Sequence, residues 1–97
     1  MVEHLVILKF GSSTTVEQKN EAIQRLKGLQ GQISGIVDLQ AGHNFCERSQ
    51  GFEVGLSVRF EDKASLEAYG PHPKHQEVVA FLREIGLVDI IVVDFEH

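Results

Sequence analysis

The clearest strand signal in this chain is Phe52-Glu53-Val54-Gly55-Leu56-Ser57-Val58-Arg59-Phe60. Every second residue is large and apolar, and the residues between them are small, polar or charged. Because successive side chains of a β-strand point to opposite faces, the five apolar side chains share one face. The pattern therefore predicts a strand that packs this face against the hydrophobic core.

Three further segments have the composition of strands. Val2–Phe10 and Leu87–Phe95 are apolar on both faces, and Ile36–His43 is a weaker strand that Asp38 and Gln40 interrupt. A strand that is apolar on both faces is expected to be covered on both faces. The sheet predicted from these segments therefore needs a covering layer on each side.

A helix is predicted between the first two strands. The segment Thr14-Thr15-Val16-Glu17 has the spacing of a capping box, which predicts the start of the helix there and its end between Leu29 and Gly31. The predicted apolar stripe consists of Val16, Ile23, Leu26 and Leu29. The charged residues, among them Lys19, are predicted to face water.

A second helical region is interrupted by Tyr69-Gly70-Pro71-His72-Pro73-Lys74-His75. Each proline disfavours a helical conformation of the residue before it, and Pro73 suits the first turn of a new helix. A short helix is therefore predicted to start within Glu61–Ser65 and to carry Tyr69. A second helix is predicted from Pro73 to about Ile85. On the second helix, His75 lies on the same face as Val79 and Leu82.

The predicted order of elements is β-α-β-β-α-β. This order is typical of an α+β, ferredoxin-like fold, in which helices cover one face of an antiparallel four-stranded sheet. The other face would carry Leu5, Ile7, Leu87, Ile91 and Val93. A monomer rarely exposes an apolar patch on the order of several hundred Å². We therefore expect a homodimer in which the sheet of a second copy covers this face.

Composition narrows the classes of function. A chain of 97 residues is expected to form one domain, residues 1–97. The net charge of −5 and the scattered basic residues argue against binding to nucleic acid or to an anionic membrane. The apolar runs are of strand length, so no membrane span or signal peptide is predicted. The single cysteine, Cys46, excludes an intrachain disulfide and favours a cytoplasmic location.

No phosphate-binding loop, nucleophile elbow or cofactor fingerprint is present, so no cofactor is predicted. His72 and His75 lie three residues apart without a carboxylate at ligand spacing, so no metal site is predicted either.

Three side chains are candidates for chemistry. His75 is either a general acid or base, kept neutral by burial and by its position near a helix N-terminus, or a structural histidine bonded to a backbone carbonyl. Tyr69 either orients or protonates a carbonyl group or fills the core. His4 shares a strand face with Val6 and Leu8, so it either reaches the same cavity or is a hydrogen-bonded core histidine.

Several segments together resemble the stress-responsive A/B barrel (Dabb) family. They are Glu3–Phe10, Gly42-His43-Asn44 followed by Gly51-Phe52, Leu66–Tyr69 followed by His72-Pro73-Lys74-His75, and Val93–Glu96. The resemblance spans nearly the whole chain in the expected order. It implies a dimeric α+β barrel in which two sheets pack face to face.

The branch of that family with clear chemistry includes olivetolic acid cyclase and closes polyketide rings. The resemblance implies that Tyr69 and His75 act on the substrate and that His4 lines a pocket between the sheet and the helices. Strand alternation and helix phase add further substrate-binding candidates: Val6, Leu8, Leu56, Val78 and Val79. Leu26 lies where this branch has a tyrosine in the pocket.

Three functions follow from different classes. The first is an acid–base enzyme without a cofactor, polyketide cyclase-like or lyase-like, acting on a small apolar carbonyl compound. The second is a non-catalytic stress-responsive dimer whose cavity is filled by side chains. The third is a cofactor-independent, monooxygenase-like barrel. An open cavity that reaches His75 would favour the first function over the second.

Overall fold

The computed structural model describes residues 1–97 without a gap. The four strands are β1 (Val2–Phe10), β2 (Ile36–His43), β3 (Phe52–Phe60) and β4 (Leu87–Glu96). The three helices are α1 (Val16–Lys27), α2 (Lys63–Tyr69) and α3 (Pro73–Glu84). The predicted α+β order is confirmed, with the second helical region divided into α2 and α3.

The sheet has the strand order β2-β3-β1-β4, and all three strand pairs are antiparallel. β1 therefore lies in the interior of the sheet, between β3 and β4. His4 of β1 is opposite Val58 of β3 and Asp94 of β4. Residues opposite one another in neighbouring strands lie on the same face, so this register determines which side chains of β4 meet those of β1.

The hydrophobic core lies between the sheet and the helices. Four of the five apolar residues of β3 belong to it, as their alternation predicts: Val54, Leu56, Val58 and Phe60. They pack with residues of β1 and with one stripe each of α1 and α3, including Leu26 and Leu82. Phe52 is also buried but lies outside this core, because a shift in the pairing of β1 with β3 sets it opposite Lys9, whose ammonium group is 5.6 Å from its ring centroid. Burying each such side chain contributes about 1.5–3 kcal/mol, so this layer is the main source of stability.

The start of α1 differs from the prediction. Thr15, not Thr14, is the N-cap: its Oγ1 accepts from the Gln18 amide at 3.1 Å, and the Gln18 side chain accepts from the Thr15 amide at 2.9 Å. Thr14 is buried, and its hydroxyl donates to the Ile85 carbonyl oxygen at 2.5 Å. The first threonine is therefore used to join the start of α1 to the end of α3.

Three further predictions for α1 were wrong. Val16 is 61% exposed and does not belong to the buried stripe. Lys19 is half-buried because its ammonium group pairs with Glu53, 2.5 Å away. Glu53 is available to Lys19 because the pairing of β1 with β3 shifts between Leu8 and Lys9, which leaves Glu53 without a partner in β1. The helix also ends earlier than predicted, at Lys27.

The proline segment ends one helix and begins the next, as predicted. α2 ends at Tyr69, and Pro73 occupies the first turn of α3. His72 is the N-cap of α3, and its Nδ1 accepts from the Lys74 amide at 3.1 Å.

The second face of the sheet is not covered by the chain itself. Leu5 and Ile7 lie opposite Val93 and Ile91, as predicted for this face. We call Leu5, Ile7, Ile91, Val93 and Phe95 the open face; apart from Ile7, which is half-buried, they are 38–50% exposed.

The prediction for Leu87 was wrong. A register shift between Lys9 and Phe10 sets Leu87 opposite Phe10, and Leu87 packs against the core on the helix-covered side. None of the three helices has the length and apolar composition that crossing a membrane requires.

Candidate active site

A cavity of about 170 Å³ lies between the sheet and the helices. All nine predicted site residues line it: His4, Val6, Leu8, Leu26, Leu56, Tyr69, His75, Val78 and Val79. Sequence reasoning missed three others: Leu82, Ile90 and Val92. The helical spacing of Leu82 places it on the same face as His75, so the sequence could have identified it. Ile90 and Val92 could not be identified in this way, because both faces of β4 are apolar. Only the pairing of β4 with Val6 and Leu8 places them beside the cavity.

The cavity has a polar end and an apolar end. His4, Tyr69 and His75 form the polar end, with ring-centroid distances of 5.8 Å from His4 to Tyr69 and 4.2 Å from Tyr69 to His75. Leu8 lies roughly 13 Å further along β1 from His4. Leu82 lies roughly 10 Å along α3 from His75. The arrangement suits a compact molecule with a polar group at one end and an apolar body.

The break between α2 and α3 brings Tyr69 and His75 together. In one continuous helix, two residues six positions apart would be about 9 Å apart along the axis and about 120° apart around it. The two prolines remove that constraint, and the two rings lie 4.2 Å apart. The proline segment is therefore what assembles this part of the site.

The Tyr69 hydroxyl is the only buried side-chain polar atom in the chain without a hydrogen-bond partner. Tyr69 is 2% exposed, and its ring packs against Phe60 at a centroid distance of 5.1 Å. Burial raises the pKa of Tyr69 to about 12. At neutral pH the side chain therefore keeps its proton and can donate a hydrogen bond.

His75 is held in one orientation by the segment before it. Its Nδ1 lies 2.9 Å from the Gly70 carbonyl oxygen, which can only accept, so Nδ1 carries the hydrogen. Burial lowers the pKa of His75, and the nearby His4 and His72 act in the same direction, while the bond to Gly70 opposes them. The ring is therefore neutral at pH 7, with an unprotonated Nε2 that can accept a proton.

Asp94 is a neighbour of the site that sequence reasoning did not identify. It lies opposite His4 in the sheet, and its Oδ1 is 2.5 Å from Nδ1 of His4. The available signal was weak: Asp94 shares a β4 face with Ile90 and Val92, but that face contacts the cavity only through the pairing of β4 with β1.

The family model of the Stress responsive A/B Barrel Domain (Dabb) matches residues 2–97. The chain belongs to this family. A stress-response A/B barrel domain-containing protein of Arabidopsis thaliana is 30% identical over 96 residues, which cover 96% of this chain and 83% of the relative. Olivetolic acid cyclase of Cannabis sativa is 29% identical over 76 residues, which cover 76% of this chain and 75% of that protein.

Among solved structures, a dimeric ferredoxin-like protein of unknown function from Jannaschia sp. superposes on this Dabb domain with a TM-score of 0.82. Its sequence is 31% identical, and the match covers 99% of this chain and 98% of that chain. The predicted ferredoxin-like fold is thereby confirmed.

The other histidines of the Dabb domain lie outside the cavity. His72 caps α3, His43 Nε2 lies 2.6 Å from Asn20 Oδ1, and His97 Nε2 lies 3.0 Å from Glu3 Oε1. Arg59 also bonds to Glu3, and the two bonds lower the pKa of that carboxyl group. No three His, Cys, Asp or Glu side chains are grouped closely enough to hold a metal ion.

The lowered pKa of His75 predicts a pH dependence of stability. The unfolded imidazole has the ordinary pKa of 6.5, whereas the folded one titrates lower. As the pH falls through 6.5, the unfolded chain takes up the proton first, so the free energy of unfolding should decrease. Urea unfolding at pH 7.5 and pH 5.5 measures this decrease. The decrease should be smaller in His75→Gln than in the wild type. In His43→Gln, a control at an exposed histidine, it should equal that of the wild type. Equal decreases in all three proteins would contradict the prediction.

Proposed function

We propose that this Dabb domain is an acid–base enzyme that transfers a proton on a small, mostly apolar carbonyl compound bound in the cavity. The Tyr69 hydroxyl carries the proposal, because it is buried beside the cavity and has no protein partner. Leaving such a group unpartnered costs about 1–3 kcal/mol. A carbonyl oxygen of a ligand would accept its hydrogen bond and remove that cost.

Tyr69 and His75, whose rings lie 4.2 Å apart, take complementary roles. The Tyr69 hydroxyl donates to the carbonyl oxygen of the ligand, and Nε2 of His75 accepts a proton from the carbon beside that carbonyl group. The C–H bond breaks, the N–H bond forms, and the electron pair moves onto the oxygen as an enolate. The hydrogen bond from Tyr69 stabilises that developing charge.

The size and lining of the cavity limit the ligand. An engineered apolar cavity of about 150 Å³ in another protein holds benzene. The cavity of about 170 Å³ therefore suits a single ring or a short branched chain with small substituents. Apart from His4, Tyr69 and His75, its lining is apolar.

Two observations favour the acid–base enzyme over the other two functions. The side chains around His75 leave a cavity, whereas a purely structural dimer would be expected to fill it. In addition, one relative, 29% identical over most of this chain, is a cyclase. An aldol-type ring closure starts with loss of a proton from the carbon beside a carbonyl group, which is the step assigned above to Tyr69 and His75.

We also propose that the domain is a homodimer in which the open faces of two copies pack together. The open face is a group of neighbouring apolar side chains 38–50% exposed, except for the half-buried Ile7. A solved relative with 31% identity is described as dimeric. Each copy would keep its own cavity, because the cavity lies on the other side of the sheet.

Tyr69→Phe tests the proposed function. Removing an unpartnered hydroxyl should leave the free energy of unfolding unchanged or slightly increase it. The affinity for acetophenone, a single ring with one carbonyl group, should fall roughly 10-fold. The affinity for ethylbenzene, which lacks the carbonyl group, should not change. NMR titration measures both affinities, and urea unfolding measures stability.

Thr14→Val is the matched control, because it deletes a buried hydroxyl that does have a partner, the Ile85 carbonyl oxygen. It should lower stability by about 1–3 kcal/mol without changing the affinity for acetophenone. If Tyr69→Phe behaves like Thr14→Val, the Tyr69 hydroxyl is structural and the proposal is wrong.

A further inference from the structure

The pairing of His4 with Asp94 fixes the hydrogen on the His4 ring. Nδ1 of His4 lies 2.5 Å from Oδ1 of Asp94. A carboxylate oxygen can only accept, so Nδ1 carries the hydrogen, and in the neutral tautomer that this bond selects Nε2 is an acceptor. The His4 side chain is 13% exposed and lines the cavity, and no protein group bonds its Nε2.

The polar end of the cavity therefore has a definite set of donors and acceptors. Tyr69 supplies one O–H donor, and His75 and His4 each supply an unprotonated Nε2 as an acceptor. No other polar side chain lines the cavity. A plain ketone would satisfy Tyr69 but would leave His4 without a donor, and an unmatched polar group in a desolvated site weakens binding.

We propose that Asp94 is a positioning residue that holds His4 as a hydrogen-bond acceptor, and that the ligand is a hydroxy-carbonyl compound. The carbonyl oxygen accepts from Tyr69, and the hydroxyl group donates to His4. The ligand class rests on the proposed function, since it takes the interaction of Tyr69 with a carbonyl group as given.

The position of Asp94 supports this role. Its side chain is 44% exposed and also lines a groove between α2 and the end of β4, outside the cavity. The carboxylate thus touches the ring of His4 from outside and does not contribute to the cavity wall itself. An aspartate that is half in water stabilises the core little, which leaves the orientation of His4 as its evident effect.

The ring nitrogens of His4 test the role of Asp94 without any ligand. Two-bond ¹H–¹⁵N NMR spectra should give a protonated Nδ1 and an unprotonated Nε2 for His4 in the wild type. In Asp94→Leu, which is similar in size but cannot accept a hydrogen bond, the ring should populate both tautomers. Glu96→Leu is the matched control: it removes a carboxylate two residues along β4 that pairs with Lys63, and should leave His4 unchanged. A His4 tautomer that does not respond to Asp94→Leu would overturn the positioning role.

Matched ketones test the ligand class. In the wild type, 3-hydroxyacetophenone should bind about 10-fold more tightly than acetophenone or 3-methoxyacetophenone. Asp94→Leu should abolish this preference and leave the affinity for acetophenone unchanged. If the wild type does not prefer 3-hydroxyacetophenone to the other two ketones, the inference is overturned. It is also overturned if Asp94→Leu keeps that preference. If no ketone binds to the wild type, the proposed function fails together with the ligand class, while the tautomer of His4 still decides the role of Asp94.

Discussion

Val93→Asp should break the dimer and lower the stability of the chain by several kcal/mol, since in the proposed dimer it buries a charge between the two sheets. Val93 lies at the centre of the open face, opposite Leu5. The total stability of a small domain is about 5–15 kcal/mol, so we expect a largely unfolded chain or a destabilised monomer. Sedimentation velocity measures the mass, and thermal unfolding followed by circular dichroism measures the stability. Ile91→Asp should have the same effect.

Val16→Asp is the control for this experiment. It makes the same change at a valine that is 61% exposed on α1, on the other side of the sheet. A negative charge in the first turn of a helix is favourable, so this variant should remain a dimer of wild-type stability. A folded wild-type monomer of 10.8 kDa at micromolar concentration would refute the proposed dimer. An intact dimer of Val93→Asp would refute it as well.

The parts of the site that the sequence predicts are those governed by local periodicity. Alternation in β1 and β3 assigns His4, Val6 and Leu56 to the helix-covered face, and all three line the cavity. The period of α3 does the same for His75 and Val79. These assignments need only the geometry of a single strand or helix, which the sequence expresses directly.

The parts that the sequence did not predict depend on how elements pair. Leu87 faces the core because of a register shift between β1 and β4, and no residue pattern within β4 reports that shift. Asp94 meets His4 only through the same pairing. Thr14 was assigned to the wrong role because its partner, Ile85, is 71 residues away. Each of these contacts joins segments that are distant in the sequence.

The polar end of the cavity combines both kinds of information. Local rules predict that the helix breaks at the proline segment, but the 4.2 Å distance between the rings of Tyr69 and His75 depends on how α2 and α3 pack on the sheet. The lowered pKa of His75 and the raised pKa of Tyr69 both have burial as their main cause. The same packing thus makes one side chain a proton acceptor and keeps the other a donor.

His75→Ala should strongly slow proton transfer while leaving the protein folded. The Gly70 carbonyl oxygen would keep a partner, because the Gln76 side chain also donates to it at 2.6 Å. Loss of a general base lowers a proton-transfer rate by roughly 10²-fold or more. The measurement is the exchange of the methyl protons of acetophenone for deuterium in D₂O, followed by NMR with and without the protein. These protons lie beside the carbonyl group, so their exchange reports the step assigned to His75.

His72→Ala is the matched control, three residues earlier in the same segment. It removes the N-cap of α3 and should lower stability by about 1 kcal/mol, yet leave the exchange rate unchanged, because His72 does not line the cavity. If His75→Ala unfolds the protein, the bond from His75 to Gly70 is structural and the proposed role is wrong. If the variant is folded and catalyses exchange at the wild-type rate, His75 is not the base. Loss of exchange in a folded His75→Ala variant, with exchange retained in His72→Ala, would assign the proton transfer to the imidazole inside the cavity.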